Sequence, residues 1–457
     1  MAPESSPPTS PRSGSSEQGN KATSQPGKLR LELDPSRLEH FYEYEPGGHH
    51  PVHLQDVVGE KGRYRVIHKL GSGGFSNVWL CRDLEGREKT SYVALKVLMA
   101  EASDSDYPEI RINQLKDWLI KQREQDDAAD PICLPLDQFT VDGPNGHHAC
   151  FIYPLLGPKV SLGLFQANGD PDKSLRGISH RIVKAVSLLH SQGICYGNIT
   201  PNNALHHTRG FDDLTEEEVM QILGAPTRNQ IFAGSVKGHA ELNAPQYLVY
   251  PVKWQHVAKE YIGEQPCLID FGQSFEVAHA PEYLGIPGSY RSPELILDNK
   301  MGFGTDLWAL GCTLFEIRTG RKLFCPFDED DDDDYLDFMV QILGKLPEPW
   351  WSTTWEARKT LWKDELDEHG RAIPTVAEPE VPAAGITRVV HPSVAQGARS
   401  LAEKLAPGLW YLSENIHGGI PQKELDVFSD LLGQLLKYTP KTASAQQQPW
   451  ITSGLIY

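Results

Sequence analysis

No run of eighteen apolar residues occurs in this chain of 457, so no segment is long and apolar enough to form a membrane-crossing helix. Close cysteine pairs are missing too. Seven thiols, an odd number, lie scattered at Cys81, Cys133, Cys150, Cys195, Cys267, Cys312 and Cys325 with no metal-ligand spacing, which argues against a zinc site or a disulfide framework and for buried reduced thiols. Basic residues are in deficit, 43 Lys and Arg against 61 Asp and Glu for a formal net charge of -18. General affinity for nucleic acid is therefore not expected, and basic partners are favoured. The first thirty residues are rich in Ser, Pro and Gly and lack the apolar stretch of a signal peptide. Residues 1–40 read as a disordered tail on an intracellular protein of the cytoplasm or nucleus.

The chemistry begins where glycine collects. Tyr64–Leu70 has strand character and runs into Gly71-Ser72-Gly73-Gly74-Phe75-Ser76, followed by a second strand through Val78. Glycines in such a hairpin let the backbone approach a phosphate closely, although an ordinary tight turn has the same look. A third strand, Val93-Ala94-Leu95-Lys96-Val97, then supplies one lysine at a fixed interval. Further on stand Gly193-Ile-Cys-Tyr-Gly-Asn-Ile-Thr-Pro-Asn-Asn-Ala-Leu205 and, after a long insert, Leu268-Ile269-Asp270-Phe271-Gly272.

Together these segments resemble the glycine-rich loop, lysine strand, catalytic loop and Asp-Phe-Gly loop of a protein kinase. The resemblance implies an α+β bilobal fold, with a small, mostly antiparallel lobe over 41–156 and a larger helical lobe over 157–457. It implies ATP and Mg2+ as cofactors. Leu70, Gly71, Ser72, Gly73, Gly74, Val78, Ala94, Lys96, Tyr153, Leu155 and Leu205 would face the nucleotide, the Leu155 amide bonding the base, and Asn203 and Asp270 would hold metal. Lys96 needs an acidic partner. Glu109 is the candidate, behind Pro108 and on a helix whose apolar residues Ile112, Leu115 and Leu119 share a face; a solvated surface Glu is the plainer alternative.

Two positions depart from the kinase pattern. The aspartate that takes the proton from the substrate hydroxyl is replaced by Asn198, whose amide has nearly the same shape but no basicity. Two residues on, where serine/threonine kinases usually place a lysine, stands the uncharged Thr200. General-base catalysis contributes roughly 10²–10⁴-fold, so transfer is expected to be strongly attenuated, as in a pseudokinase, rather than erased.

Finer motifs narrow the resemblance. The loop Leu70-Gly-x-Gly-x-Phe75-Ser76-x-Val78-Trp79-Leu80, the turn Asn145-Gly146-x-His148, the insert before Asp270 and the segment Tyr290-Arg291-Ser292-Pro293-Glu294 look like the SR-protein kinase family, and like a fungal branch of it through Thr215-Glu216-Glu217-Glu218 and Ala244–Pro251. That family implies a serine/threonine kinase, here expected as a monomer without nucleic-acid or membrane partners, acting on arginine/serine-rich substrates. A fully active kinase and a non-catalytic scaffold for basic partners stand as alternatives.

The remaining segments read as follows. The insert, 206–266, is expected as a surface excursion between the lobes, with a docking device as the alternative. Within it Thr215 and Glu218 form a capping box. Asp328–Asp334 is an unbroken acidic run, read as a solvated loop or else as a landing site for arginine-rich segments. The stretch 375–394, rich in Pro, Ala and Glu, reads as a loop, and Leu425–Leu436 as a closing amphipathic helix. Between Asp270 and Glu294 the chain is short enough to order without a phosphate; Ser289 and Tyr290 are its ready modification sites. Kinases pair the carboxylate at Glu294 with a large-lobe arginine, and the corresponding region, Tyr438-Thr-Pro-Lys441, has none.

Overall fold

The computed structural model describes residues 30–31, 33–85, 92–103, 108–109, 130–160, 171–232, 243–326, 331–375, 400–408 and 420–438. Its first large unit is an antiparallel sheet of six strands: β2 (Val57–Val58), β3 (Tyr64–Gly73), β4 (Ser76–Asp83), β5 (Tyr92–Leu98), β6 (Asp137–Gly143) and β7 (Gly146–Pro154), in the order β2-β3-β4-β5-β7-β6. Every residue of β5 is buried, because this strand is central and both of its faces are covered. The register sets Gly71 opposite Val78, Val78 opposite Lys96 and Ala94 opposite Tyr153. The hairpin between β3 and β4 closes at Gly73 and Ser76.

The second unit is helical. Its core includes Leu175, Ile182, Val186 and Leu189 from α1 (Pro171–Ser191) and Leu307, Trp308, Leu310 and Leu314 from α4 (Phe303–Thr319). Between these two come α2 (Glu216–Leu223) and α3 (Pro293–Asp298), and after them α5 (Asp332–Leu343), α6 (Arg358–Leu361), α7 (Leu401–Leu405) and α8 (Gln422–Leu435). The last matches the expected closing helix to within three residues. Among the described residues no helix is long and apolar enough to cross a membrane. Six of the seven cysteines are buried and unbridged, and Cys325 is exposed.

Four expectations need correction. The insert is no surface excursion: Tyr247 and Val249 of β12 (Tyr247–Val249) sit in one small-lobe core with Val66, Trp79 and Leu95, while Phe211, Val219 and Leu223 pack against Ile67, Leu80 and Tyr92 in another. Burying those apolar residues is what fixes it there. The expected capping box does start α2.

The tail boundary at residue 40 is too late. Glu39 is buried and ion-paired with the equally buried Lys69, and Tyr44 donates to Glu39 Oε1 at 2.8 Å.

The described part of the acidic run is not a loop. Asp331 caps α5 by accepting the N–H groups of Asp333 and Asp334, and Asp332–Asp334 form the first turn, where the helix dipole favours negative charge. Asp332 also pairs with Arg291 at 3.0 Å. Residues 328–330 lie outside the described residues, as do 376–394 and the face holding Ile112, Leu115 and Leu119.

Finally, Ser289 and Tyr290 are both buried, and the Tyr290 hydroxyl donates to Glu316, so neither is presented for modification.

Candidate active site

The insert separates Asn203 from Asp270 widely in sequence, and a β ladder brings them back together. β10 (Ala204–Thr208) leaves directly from Asn203, β13 (Ile262–Leu268) returns directly to Ile269 and Asp270, and the two pair antiparallel with Ala204 opposite Leu268. At the end of the ladder the Ile269 N–H donates to the Asn203 carbonyl at 3.0 Å. β8 (Leu156–Lys159) completes this sheet on the other side of β10. Each residue added to the insert therefore moves the outer end of the ladder, not the end that carries the two polar side chains.

Lys96 is the electrostatic centre. Its ammonium lies 2.6 Å from Glu109 Oε2 and 2.9 Å from Asp270 Oδ1, so the small lobe, the segment at Glu109 and the Asp-Phe-Gly loop meet at one cation. Glu109 is fully buried and takes a second donor, the hydroxyl of Tyr153. Burial and the neighbouring Glu109 carboxylate push the Tyr153 phenol well above its ordinary range, so it stays protonated and donates. Asp270 adopts a left-handed backbone with φ +58°, a strained conformation for a residue other than glycine, of the kind that functional sites retain.

The catalytic loop hangs from Asp306, a buried carboxylate of α4. It accepts the N–H groups of Tyr196 at 2.7 Å and Gly197 at 2.8 Å, and contacts His190 at 2.8 Å. Tyr196 packs edge-on against Phe271 at 5.3 Å and donates its hydroxyl to the Ile269 carbonyl, linking the catalytic loop to the Asp-Phe-Gly loop. Gly197 is required at its position: its φ is +79°, and a Cβ there would lie 2.3 Å from the Gln273 carbonyl oxygen. The segment after Asp270 is held by backbone pairing, since β14 (Phe275–Glu276) pairs with β9 (Ile194–Cys195) and Val277 N–H donates to the Gly193 carbonyl at 2.8 Å.

Asn203 Nδ2 donates to the Asn198 carbonyl at 2.9 Å, which leaves its Oδ1 as the atom that can ligate. The side-chain oxygen of Asn198 is buried and has no hydrogen-bond partner among the described residues. Thr200 is buried. Two residues further along the loop, Asn202 Oδ1 accepts from the exposed Lys159 ammonium at 2.6 Å.

Leu70, Val78, Ala94, Tyr153 and Leu205, the side chains expected around the base, share one hydrophobic cluster with Leu156 and Ile269. The Leu155 side chain is not in that cluster, which leaves the role expected of its main-chain N–H untouched. Its side chain packs with Ile67, Tyr92 and Phe211 toward the insert, and its carbonyl accepts from Thr208 Oγ1 at 2.7 Å. The chain leaves β7 at this residue, and Leu156 joins the cluster of Ala94 and Tyr153. Asp306 opens the segment Asp306-Leu307-Trp308, which the sequence places at kinase spacing after Glu294 without an anchoring role, and nothing local in the sequence marks the Tyr153 hydroxyl as a partner of Glu109.

A strand lysine held by two acidic side chains, a glycine hairpin in the same sheet and a ladder that sets the Asn203 loop beside the Asp-Phe-Gly loop are together the arrangement of a protein kinase. The protein kinase domain family matches residues 262–447. The chain is 30% identical over 336 residues to the serine/threonine-protein kinase SRPK of Physarum polycephalum, covering 69% of this chain and 74% of that protein. It is 26% identical to protein kinase dsk1 of Schizosaccharomyces pombe, covering 70% and 73%. To human SRSF protein kinase 3 it is 34% identical over 182 residues, 38% of this chain and 30% of that protein. The chain belongs to the SR-protein kinase family of serine/threonine kinases.

Glu294 departs from the kinase pattern in structure as in sequence. No described cation lies within salt-bridge distance, and its Oε2 is buried without a partner among the described residues; Lys441 falls outside them. Burial raises the Glu294 pKa above its ordinary range. A carboxyl raised in the folded state favours folding at acid pH and loses that advantage as pH climbs from the ordinary Glu value through the raised one. Glu294→Gln should therefore raise the melting midpoint at pH 7–8, with the gain shrinking toward pH 5. Each kcal/mol relieved is worth about 2–4 °C in a domain of this size. A drop at pH 7.5 would show that the carboxylate is paired after all.

Proposed function

We propose that this kinase binds Mg-ATP in the cleft between Lys96 and Asn203 and transfers phosphoryl groups to serines of basic, arginine/serine-rich proteins at a strongly reduced rate. The observation that carries this reading is the intact grip on Lys96 by Glu109 and Asp270 beside an amide at the base position. The residues fit the cofactors. Lys96 is oriented for phosphate oxygens, the Leu70, Val78, Ala94, Leu156 and Leu205 side chains offer an apolar slot for a base, and Asp270 with Asn203 Oδ1 offers the one or two protein oxygens that Mg2+ takes. When bound, Mg-ATP supplies the phosphoryl group. Asn198 can orient an acceptor hydroxyl but cannot remove its proton, and Thr200 adds no charge.

A fully active kinase is the second reading. Lys159 on Asn202 favours it, as a cation held by the residue two positions after Thr200.

Binding is tested apart from transfer. Saturating Mg-ATP at about 100 times its Kd should stabilise the chain by about 2.7 kcal/mol and raise the midpoint measurably. Lys96→Ala or Asp270→Ala should abolish the rise. An equal rise in both variants, or none in the parent, would remove the nucleotide from the account.

A further inference from the structure

The pairing of β5 with β7 sets Tyr153 beside Lys96. Phe151 lies directly opposite Lys96, and Tyr153 lies opposite Ala94. Side chains two residues apart on a strand share a face, so Lys96, Ala94, Phe151 and Tyr153 stand on one side of the sheet, with Tyr153 diagonally across from the lysine. A diagonal pair is within reach of long side chains, and here an acid joins them. Glu109 Oε2 accepts from the Lys96 ammonium at 2.6 Å, and Glu109 Oε1 accepts from the Tyr153 hydroxyl. Phe151, nearest the lysine across the ladder, has no polar group to offer.

The two acids on Lys96 are not equivalent. Glu109 is fully buried, whereas the Asp270 side chain is 41% exposed. Asp270 is the one expected to hold metal, which leaves Glu109 as the lasting anchor of the ammonium. How Glu109 holds it depends on the second oxygen. A carboxylate with both oxygens free to one ammonium can rotate, or draw the cation toward itself. With Oε1 on Tyr153 the carboxylate is fixed at two points, and one oxygen alone reaches Lys96. A buried carboxylate oxygen left without a donor is costly, so Glu109 would rearrange if the hydroxyl were removed. The phenol is itself well held, because its ring shares a buried cluster with Ala94, Leu98 and Phe151.

We propose that the Tyr153 hydroxyl is a positioning group for the nucleotide phosphates. It acts at one remove, by holding Glu109 so that a single carboxylate oxygen fixes Lys96 toward the cleft. The inference rests on the reading that Mg-ATP binds between Lys96 and Asn203, and it adds to that reading a residue acting only through Glu109. Its consequence is selective: the hydroxyl should matter for ligands that carry phosphates and not for those that lack them.

Tyr153→Phe keeps the ring and removes one oxygen. The full chain and its variants are titrated calorimetrically with Mg-ATP and, separately, with adenosine, which presents base and ribose without phosphate. Mg-ATP should bind Tyr153→Phe about tenfold more weakly, and adenosine within about twofold of the parent. Tyr153→Met, a second side chain without a hydroxyl, should show the same split between the two ligands, and each variant's melting midpoint without ligand confirms that it is folded. Glu109→Gln should weaken Mg-ATP binding as well, and adding Tyr153→Phe to it should cost less than about threefold more, because both changes act on one interaction. Unchanged Mg-ATP affinity in Tyr153→Phe, equal losses for Mg-ATP and adenosine, or a further loss of about tenfold on top of Glu109→Gln would each overturn the proposal while leaving Mg-ATP binding by the parent intact. A parent that binds adenosine but gains nothing from the phosphates would overturn the nucleotide reading, and this inference with it.

Discussion

Asn198→Asp should increase phosphoryl transfer to an arginine/serine peptide by roughly 10²-fold or more, the contribution expected of a positioned general base. The gain requires that the rest of the cleft be assembled, and its geometry supports that. Lys96 is oriented by Glu109 and Asp270, and the loop bearing Asn198 is suspended through its own backbone N–H groups, two of which donate to the Asp306 carboxylate. Exchanging the side-chain amide for a carboxylate leaves those bonds untouched. The Asn198 oxygen has no described partner to lose. Parent and variant should give the same thermal shift with Mg-ATP, so a difference in rate would report chemistry, not binding. Three outcomes separate the readings. A large gain supports attenuation by the missing base. A parent that already works at ordinary kinase rates, unchanged by Asn198→Ala, means that another group does the task, with Lys159 as the first charge to examine. No gain with normal nucleotide binding places the deficit elsewhere, at Thr200 or in peptide binding.

The parts of the site that were legible in the sequence are those whose chemistry is local. Lys96 sits on a strand beside a glycine hairpin, and Asp270 follows an apolar strand, so residue type and neighbours suffice to assign both. Glu109 was also legible despite a short interval from Lys96, because the lysine requires an acid and Pro108 marks a helix start. What could not be read is what depends on distant parts of the chain meeting. The insert looked like an excursion because its apolar residues are spaced irregularly. Tyr247 and Val249 find their partners in Trp79 and Leu95, which no local pattern foretells. Leu155 and Leu156 are chemically identical neighbours, and only the course of the chain after β7 decides which side chain joins the Ala94 and Tyr153 cluster. The described part of the acidic run, Asp331–Asp334, misleads for another reason: charge density says solvated loop, whereas Asp331 in the capping position makes the same charges favourable at a helix start.

Glu39 gives the largest stability effect expected in the small lobe. Lys69 belongs to β3, yet its ammonium is fully buried, 5.1 Å from the centre of the Trp79 ring and paired with Glu39, which is itself buried. Burial lowers the Lys69 pKa, and Glu39 is the charge that opposes the fall. Removing Glu39 alone leaves a cation with no described countercharge where water does not reach. Breaking one side of such a pair is destabilising by about 3–5 kcal/mol, whereas replacing both members with apolar groups of similar size is often neutral or better. Glu39→Ala should therefore lower the melting midpoint by roughly 10 °C, and Glu39→Leu with Lys69→Met should recover most of the loss. The sign with pH also follows. In Glu39→Ala the folded state holds Lys69 neutral over a range in which the unfolded chain still binds the proton, so stability should rise with pH from 7 toward 10 across the window between the depressed and ordinary lysine values. A deficit that is flat across this range, or a double variant as unstable as Glu39→Ala, would mean that the loss comes from the Tyr44 hydroxyl and the packing of residues 33–40. The buried charge on Lys69 would then not be what ties that segment to the lobe.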